Sequence, residues 1–267
     1  MNEINSDILR KSQLKMLEIL IEVDKICKKN NINYWLDSGT LLGAVRHRGF
    51  IPWDDDIDIC MLEEDYNHFL EVVGKDLDSN KYFLSNKSTD KNVLFKYSKI
   101  RDRNSTFLEN EETKNELYHQ GVFIDIFCMS YIKNYNSLTE KIYTILLKIK
   151  DLIPERGKNR WCKKLMKRIG ICKLANYMYE KYFYSRVNEG IIGYKYSFVN
   201  THQIEVIFPL ETIIFEKYKF LCPNNSHLYL SKLYGDYMQL PQEKDRIWHA
   251  KYISLNEKCY FEKVIKK

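Results

Sequence analysis

Four aspartates fall within five positions of the stretch Gly49-Phe50-Ile51-Pro52-Trp53-Asp54-Asp55-Asp56-Ile57-Asp58-Ile59. Crowded carboxylates repel, and taking them out of water makes the charged forms costlier still. Pro52 forces extended backbone on Ile51. After it, Asp56-Ile57-Asp58-Ile59 alternates with a period of two. In a strand Asp56 and Asp58 then share one face while Ile57 and Ile59 turn to the core. Two carboxylates so placed call for a proton or a cation between them. Mg²⁺ suits the arrangement, because it takes oxygen ligands from one or two carboxylates together with substrate phosphates. A second acidic strand is expected at Val122–Phe127, where Asp125 is the lone charge in an apolar run and is costly unless paired, capped or metal-bound. Asp56, Asp58 and Asp125 would together make a metal platform on two strands. A calcium loop is excluded: Asp54, Asp56 and Asp58 take positions one, three and five, but position six is Ile59 instead of Gly and position twelve is Asp65. Taken alone, the acidic run also reads as a solvated surface, and Asp125 as a turn cap or the partner of an arginine.

The segment ahead of the aspartates, Trp35-Leu36-Asp37-Ser38-Gly39-Thr40-Leu41-Leu42-Gly43-Ala44-Val45-Arg46, reads as strand, tight turn and short helix. Ser38, Gly39 and Thr40 form the turn. Gly39 lets the backbone approach a ligand, and the free N–H groups of a helix start favour phosphate. Thr40 adds a hydroxyl donor and Arg46 a planar fork for phosphate oxygens. No G-K-[ST] follows, so this is not a Walker loop.

These residues need elements to hold them. A helix is expected over 6–30, with Ser6 as N-cap and an apolar stripe through Leu9, Leu17, Leu20, Ile21 and Val23. Strands are expected at 32–36, 56–59, 82–84, 95–100, 122–127 and 216–221, and helices at 41–45, 63–73 and 228–234. The block from about 135 to 185 reads as helical. There is no internal repeat, low-complexity tract or flexible linker, so the 267 residues read as one α+β domain carrying a basic helical insertion at 135–195.

Composition narrows the class. With 45% hydrophobic and 29% charged residues, the chain has enough apolar surface to fold, which excludes disorder as the dominant state. It contains no apolar run long enough to span a bilayer and no signal peptide. Seven cysteines are scattered without a C-x-x-C pair, which argues for reduced thiols and against a zinc cage. A cytoplasmic protein is expected. The net charge of +6 is uneven: between Lys141 and Lys181, twelve basic residues face three acidic ones, a local +9. Such a block reads as a solvated helical face or as a contact for an anionic membrane or polyanionic acceptor. No nucleic-acid partner is expected.

The run YWLDSGTLLGAVRHRGFIPWDDDIDI resembles the LicD family, which includes bacterial phosphocholine transferases and fukutin-type ribitol-phosphate transferases. Further landmarks are similar: Lys99-Ile100-Arg101-Asp102-Arg103-Asn104-Ser105-Thr106, GVFIDIF at 121–127, Phe208-Pro209 and YLSKLYGDYMQLP at 229–241. The resemblance implies a nucleotidyltransferase-like mixed β-sheet flanked by helices. In that setting Ser38, Gly39 and Thr40 hold phosphate, Asp56 and Asp58 bind Mg²⁺ (or Mn²⁺), and Asp125 completes the metal site or accepts the acceptor's proton. Asp54 and Asp55 shape the loop or bind a water beside the metal, while Arg46, Lys99 and Arg101 neutralise phosphate charge. The implied reaction moves a phospho-alcohol, phosphocholine foremost, from a CDP-linked donor to a sugar hydroxyl of a cell-surface glycan or lipid-linked precursor, with release of CMP. It would run at the inner face of the membrane. A choline head group needs aromatic faces, and Trp53 and Tyr234 lie in the matching motifs. Two other readings stay open: transfer of a nucleotide monophosphate to a small hydroxylated substrate, and a glycan- or membrane-binding module without turnover.

Overall fold

The computed structural model describes residues 6–93, 95–110, 112–133, 138, 141–143, 145–146, 170–195, 201–246 and 248–265. The chain divides into two compact units, residues 1–128 with 208–267 and residues 129–207.

In the first unit, helix α1 (Ser6–Lys29) buries Leu9, Met16, Leu20, Val23 and Cys27, a stripe that follows from their helical spacing. Asp7 stands in its first turn and Lys28 and Lys29 in its last, the charges that suit the two ends of a helix dipole. Then come β1 (Trp35–Leu36), α2 (Ser38–His47), β2 (Asp58–Leu62) and α3 (Glu63–Asp76). They are followed by β3 (Tyr82–Ser85), β4 (Ser98–Asp102), β5 (Thr106–Glu109) and β6 (Phe123–Ile132), whose first six residues belong to this unit. The central sheet has the order β1-β2-β6-β4-β3. Its register pairs Lys99 with Asp125 and Arg101 with Phe123, so these four side chains share one face. On the other face Ile100, Ile124 and Ile126 are fully buried, each stabilising the fold by about 2 kcal/mol. Alternation along two neighbouring strands thus decides that one side is core and the other carries charge.

The second unit pairs β7 (Tyr184–Ser185) and β8 (Ile191–Tyr194) with Met129–Ile132, and β9 (His202–Gln203) with β8. It also holds helix α4 (Ile171–Met178). Its core gathers Ile132, Tyr143, Ala175, Tyr179 and Phe183. Of the expected helical block, α4 is helix and residues 184–185 and 191–194 are strand, while most of the basic residues lie outside the described residues.

Back in the first unit, β10 (Glu211–Phe215) and β11 (Tyr218–Cys222) form a hairpin, α5 (Ser226–Tyr234) follows, and β12 (Ala250–Ser254) pairs with β5. Glu216, in the hairpin turn, accepts two hydrogen bonds of 2.8 Å from Arg10 and one of 3.3 Å from the Phe50 amide. This ties the entrance of the acidic loop to α1. Among the described residues no helix is long and apolar enough to cross a membrane, and Cys27, Cys60, Cys128, Cys222 and Cys259 form no disulfide.

Candidate active site

The site grows from the β1–α2 junction. Ser38, Gly39 and Thr40, expected as a turn, are the first three residues of α2. Ser38 has φ +46°, a left-handed conformation that a side chain disfavours and that surrounding bonds must hold. Asp37 supplies them. Its amide donates to Asp58 O at 3.0 Å, and its buried carboxylate accepts from Tyr229 Oη at 2.6 Å, Cys60 Sγ at 3.1 Å and Ser38 Oγ at 3.3 Å. Although Asp37 stands at the N-cap, its side chain makes no capping bond, so it leaves the first-turn amides of α2 to another acceptor. Thr40 Oγ1 accepts from the Asp58 amide at 2.8 Å, fixing the strand that carries Asp58. A Cβ at Gly39 would stand 3.0 Å from Asp54 Oδ2, so the bare backbone lets an anionic group lie against the helix start.

Beside this junction four carboxylates act on one another. Burial first, and then its acidic neighbours, raise the proton affinity of each. Asp58 is pushed well up, with Asp56, Asp125, Asp37 and Asp54 as neighbours. Asp54 is pushed well up by burial, Asp56 and Asp55. Asp56 is pushed up to about 6 by burial, Asp125 and Asp55. Asp125 is raised by burial against the opposing pull of Lys99. Asp55 has a different task. One of its oxygens accepts the amides of His249 at 2.8 Å and Ala250 at 2.6 Å, and the other meets His249 Nδ1 at 3.0 Å. That contact carries the imidazole pKa up to about 9, so His249 is a cation at neutral pH.

Among the described residues, Asp55, Asp56 and His249 are the group of three whose ligand atoms all lie within 4.8 Å of one another. Asp55 is spent on amides and His249 is protonated, which makes that triple an ion-pair cluster. Asp56, Asp58 and Asp125 do not form a group so spaced as their side chains stand. The donor set fits a hard divalent ion all the same: it is all oxygen, Asp58 accepts no side-chain hydrogen bond among the described residues, and burial, with neighbouring carboxylates added, raises every member. Asp125 is drawn instead to Lys99, whose Nζ lies 2.9 Å from Oδ1 and 3.2 Å from Oδ2.

A pH dependence follows from the same charges. Between its ordinary 3.8 and about 6, folded Asp56 keeps a proton that the unfolded chain releases, so stability of the metal-free protein falls as pH rises through that window. The slope approaches about 1.4 kcal/mol per pH unit for one proton. His249, raised from 6.5 to about 9, adds stability below 6.5 that is lost as pH climbs to about 9, the same sign at higher pH. Thermal unfolding in EDTA from pH 4.5 to 7 is expected to show a falling midpoint, and Asp56→Asn to flatten that fall. A midpoint that rises with pH in the wild-type protein would contradict the assignment.

The expected phosphate-binding cations are held by the protein itself. Arg46 Nη1 donates to Tyr237 O at 2.6 Å and Gln239 O at 3.3 Å, so its fork anchors the loop after α5, with Asp54 nearby. Arg101 is 3% exposed, donates to Gly121 O at 3.0 Å and covers the Phe123 ring. Lys99 is 2% exposed and stands 3.4 Å from the Phe123 ring centroid and 3.7 Å from Glu109. Of the two aromatics singled out, Trp53 lies under the Arg246 guanidinium at 4.1 Å, and Tyr234 is hydrogen-bonded to Ser38. Sequence reasoning missed Asp37 and Tyr229. An Asp before a helix reads as a cap, and nothing in the spacing shows a carboxylate turned inward to a tyrosine 192 residues away.

The profile described as "LicD/FKTN/FKRP, nucleotidyltransferase domain" matches residues 31–144, the span that contains α2, the aspartates and Asp125. Over 267 aligned residues the chain is 28% identical to the lipopolysaccharide cholinephosphotransferase LicD of Haemophilus influenzae, covering 90% of this chain and 95% of that protein. An uncharacterized protein of Rickettsia typhi is 37% identical over 121 residues, 39% of this chain and 38% of that one. Human ribitol 5-phosphate transferase FKRP is 42% identical over 48 residues, 18% of this chain and 10% of that protein. The profile match over residues 31–144 and the similarity along most of the chain are both to the LicD family.

Proposed function

We propose that the chain is a Mg²⁺-dependent transferase that moves a phospho-alcohol, phosphocholine foremost, from a CDP-linked donor to a sugar hydroxyl of a cell-surface glycan or lipid-linked precursor, with CMP leaving. The observation that carries this reading is the set of carboxylates raised chiefly by burial, Asp56, Asp58 and Asp125, beside a helix start whose N-cap residue does not cap it. Asp58 and Asp125 stand on the neighbouring strands β2 and β6, which supports a shared site, and similarity along the chain to a cholinephosphotransferase supports the donor class.

Phosphoryl transfer asks a protein mainly to align groups and to balance charge. Bound Mg²⁺ would supply charge neutralisation at the phosphate oxygens; Asp56, Asp58 and Asp125 are the residues that would hold it. The first-turn amides of α2 receive a phosphate oxygen, and Gly39 admits it without a side chain in the way. Asp125 Oδ takes the proton of the attacking sugar hydroxyl, and Lys99 holds that carboxylate in place. Arg46 keeps the loop after α5 against the site through the Tyr237 and Gln239 carbonyls.

Purified protein incubated with Mg²⁺, a lipid-linked saccharide and CDP-choline, CDP-ethanolamine, CDP-glycerol or CDP-ribitol tests the proposal. CMP release that depends on saccharide and stops in EDTA is the expected result, with CDP-choline the best donor. The short resemblance to FKRP makes CDP-ribitol the second donor to watch. Silence with all four donors defeats the reading, and release of the free alcohol phosphate with CMP carried onto the saccharide assigns nucleotidyl transfer instead.

A further inference from the structure

We propose that the ring of Tyr234 is the platform on which the acceptor saccharide stacks, a step that rests on the transferase reading above. A single exposed tyrosine is ordinary on a protein surface, but this one is held unusually firmly. It ends α5, and Gly235 turns the chain beyond it with φ +66°. Five residues earlier, Tyr229 donates to Asp37 at 2.6 Å; three residues later, the Tyr237 carbonyl receives Arg46 at 2.6 Å. The backbone around Tyr234 is thus fastened on both sides, to the two ends of α2. Its hydroxyl end is enclosed and bonded to Ser38, with Asp37, Asp58 and Asp54 as its charged neighbours, while the residue as a whole is 46% exposed. Met238 and Leu240, both 57% exposed, follow on the same loop.

A pinned aromatic ring with its polar tip tied down loses little freedom when a ligand covers it. Its neighbours decide what that ligand is. A sugar ring offers a C–H face to the tyrosine and hydroxyls to carboxylates, and both are present here. Two parts of a CDP-choline donor compete for the ring: the nucleobase is separated from the transferred phosphorus by a ribose and a second phosphate, and the choline head group has no hydroxyls to offer the carboxylates. The acceptor sugar carries the attacking hydroxyl itself, so it must lie beside Asp58, as Tyr234 does.

Saturation-transfer NMR with methyl α-D-glucoside, methyl β-D-galactoside and methyl N-acetyl-β-D-glucosaminide tests this without turnover. Saturation of the protein aromatic protons is expected to reach the C–H protons of at least one glycoside, to vanish in Tyr234→Leu and to return in Tyr234→Phe. In transfer assays Tyr234→Leu is expected to raise the acceptor KM about tenfold while the donor KM holds. No saturation transfer in the wild-type protein, or transfer unchanged in Tyr234→Leu, overturns the proposal. So does a Tyr234→Leu variant that loses affinity for CDP-choline and keeps the glycosides, since the ring then serves the nucleobase or the choline head group of the donor. Glycoside binding that persists where no CDP-alcohol releases CMP would strike the transferase reading and leave the saccharide site standing.

Discussion

Replacing Asp58 by Asn is expected to lower kcat for CMP release by about 10³-fold or more, the scale of losing a group that organises charge at the reacting phosphate. The same change is expected to leave the thermal midpoint in EDTA unchanged or a few degrees higher. The two outcomes belong together. Asp58 is raised by burial and by Asp56, Asp125, Asp37 and Asp54, so its charge is a burden to the metal-free fold, and Asn removes that charge at nearly constant shape. Its backbone amide still donates to Thr40 Oγ1, so β2 keeps its anchor. An Asp58→Asn protein with a sharply lowered midpoint would make the carboxylate a structural group, and one with near-normal turnover would remove it from the site. Titration of Mn²⁺ by electron paramagnetic resonance adds a readout free of substrate: the variant is expected to bind more weakly than wild type.

Gly121→Ala is expected to produce the largest loss of stability, about 3 kcal/mol or more, or roughly 6–12 °C for a chain of this size. A Cβ at Gly121 would stand 1.9 Å from Asp102 O and 3.0 Å from Asp102 C. Those atoms are backbone, fastened by the 2.7 Å bond from the Asp102 amide to Val122 O, so no side chain can swing aside. Relief requires β4 and β6 to part at the end nearest Arg101 and Phe123. Lys99 and Asp125 face each other two pairs further along the same ladder, so the residual folded protein is expected to lose turnover as well. Differential scanning calorimetry with the CMP assay on the soluble fraction checks both. A midpoint within about 2 °C of wild type would show that the strands yield more easily than the contact suggests.

Much of this arrangement can be read from residue order, and the reason is local. The helix at 6–29, a short helix near Gly39 and the strand around Asp125 depend on spacing within a few residues. So does the fact that Ile57 and Ile59 are fully buried, whereas the strand expected at 56–59 begins only at Asp58, so Asp56 stands outside it. Strand limits are less legible, because pairing decides them. The run 95–97 has strand composition, yet β4 begins at Ser98, where its ladder with β6 begins. β5 and β12 are short and meet across most of the chain, and no periodicity reveals such a partner. At the site, residue types were legible and their present employment was not. Arg46, Lys99 and Arg101 are forks and ammonium groups in sequence, but bonds to Tyr237, Gln239, Asp125 and Gly121 are long-range facts. The cluster itself is legible because repulsion among neighbouring aspartates is written into the chain.

The grip of Asp55 on the amides of His249 and Ala250 has a temporal side. The acidic loop is synthesised early, yet one of its carboxylates finds its partners only after nearly two hundred more residues have left the ribosome. Domains otherwise tend to assemble from the N-terminus during synthesis. A nascent chain stalled before position 249 is therefore expected to carry its sheet but not a finished acidic loop, and maturation of the centre is deferred until translation is nearly over.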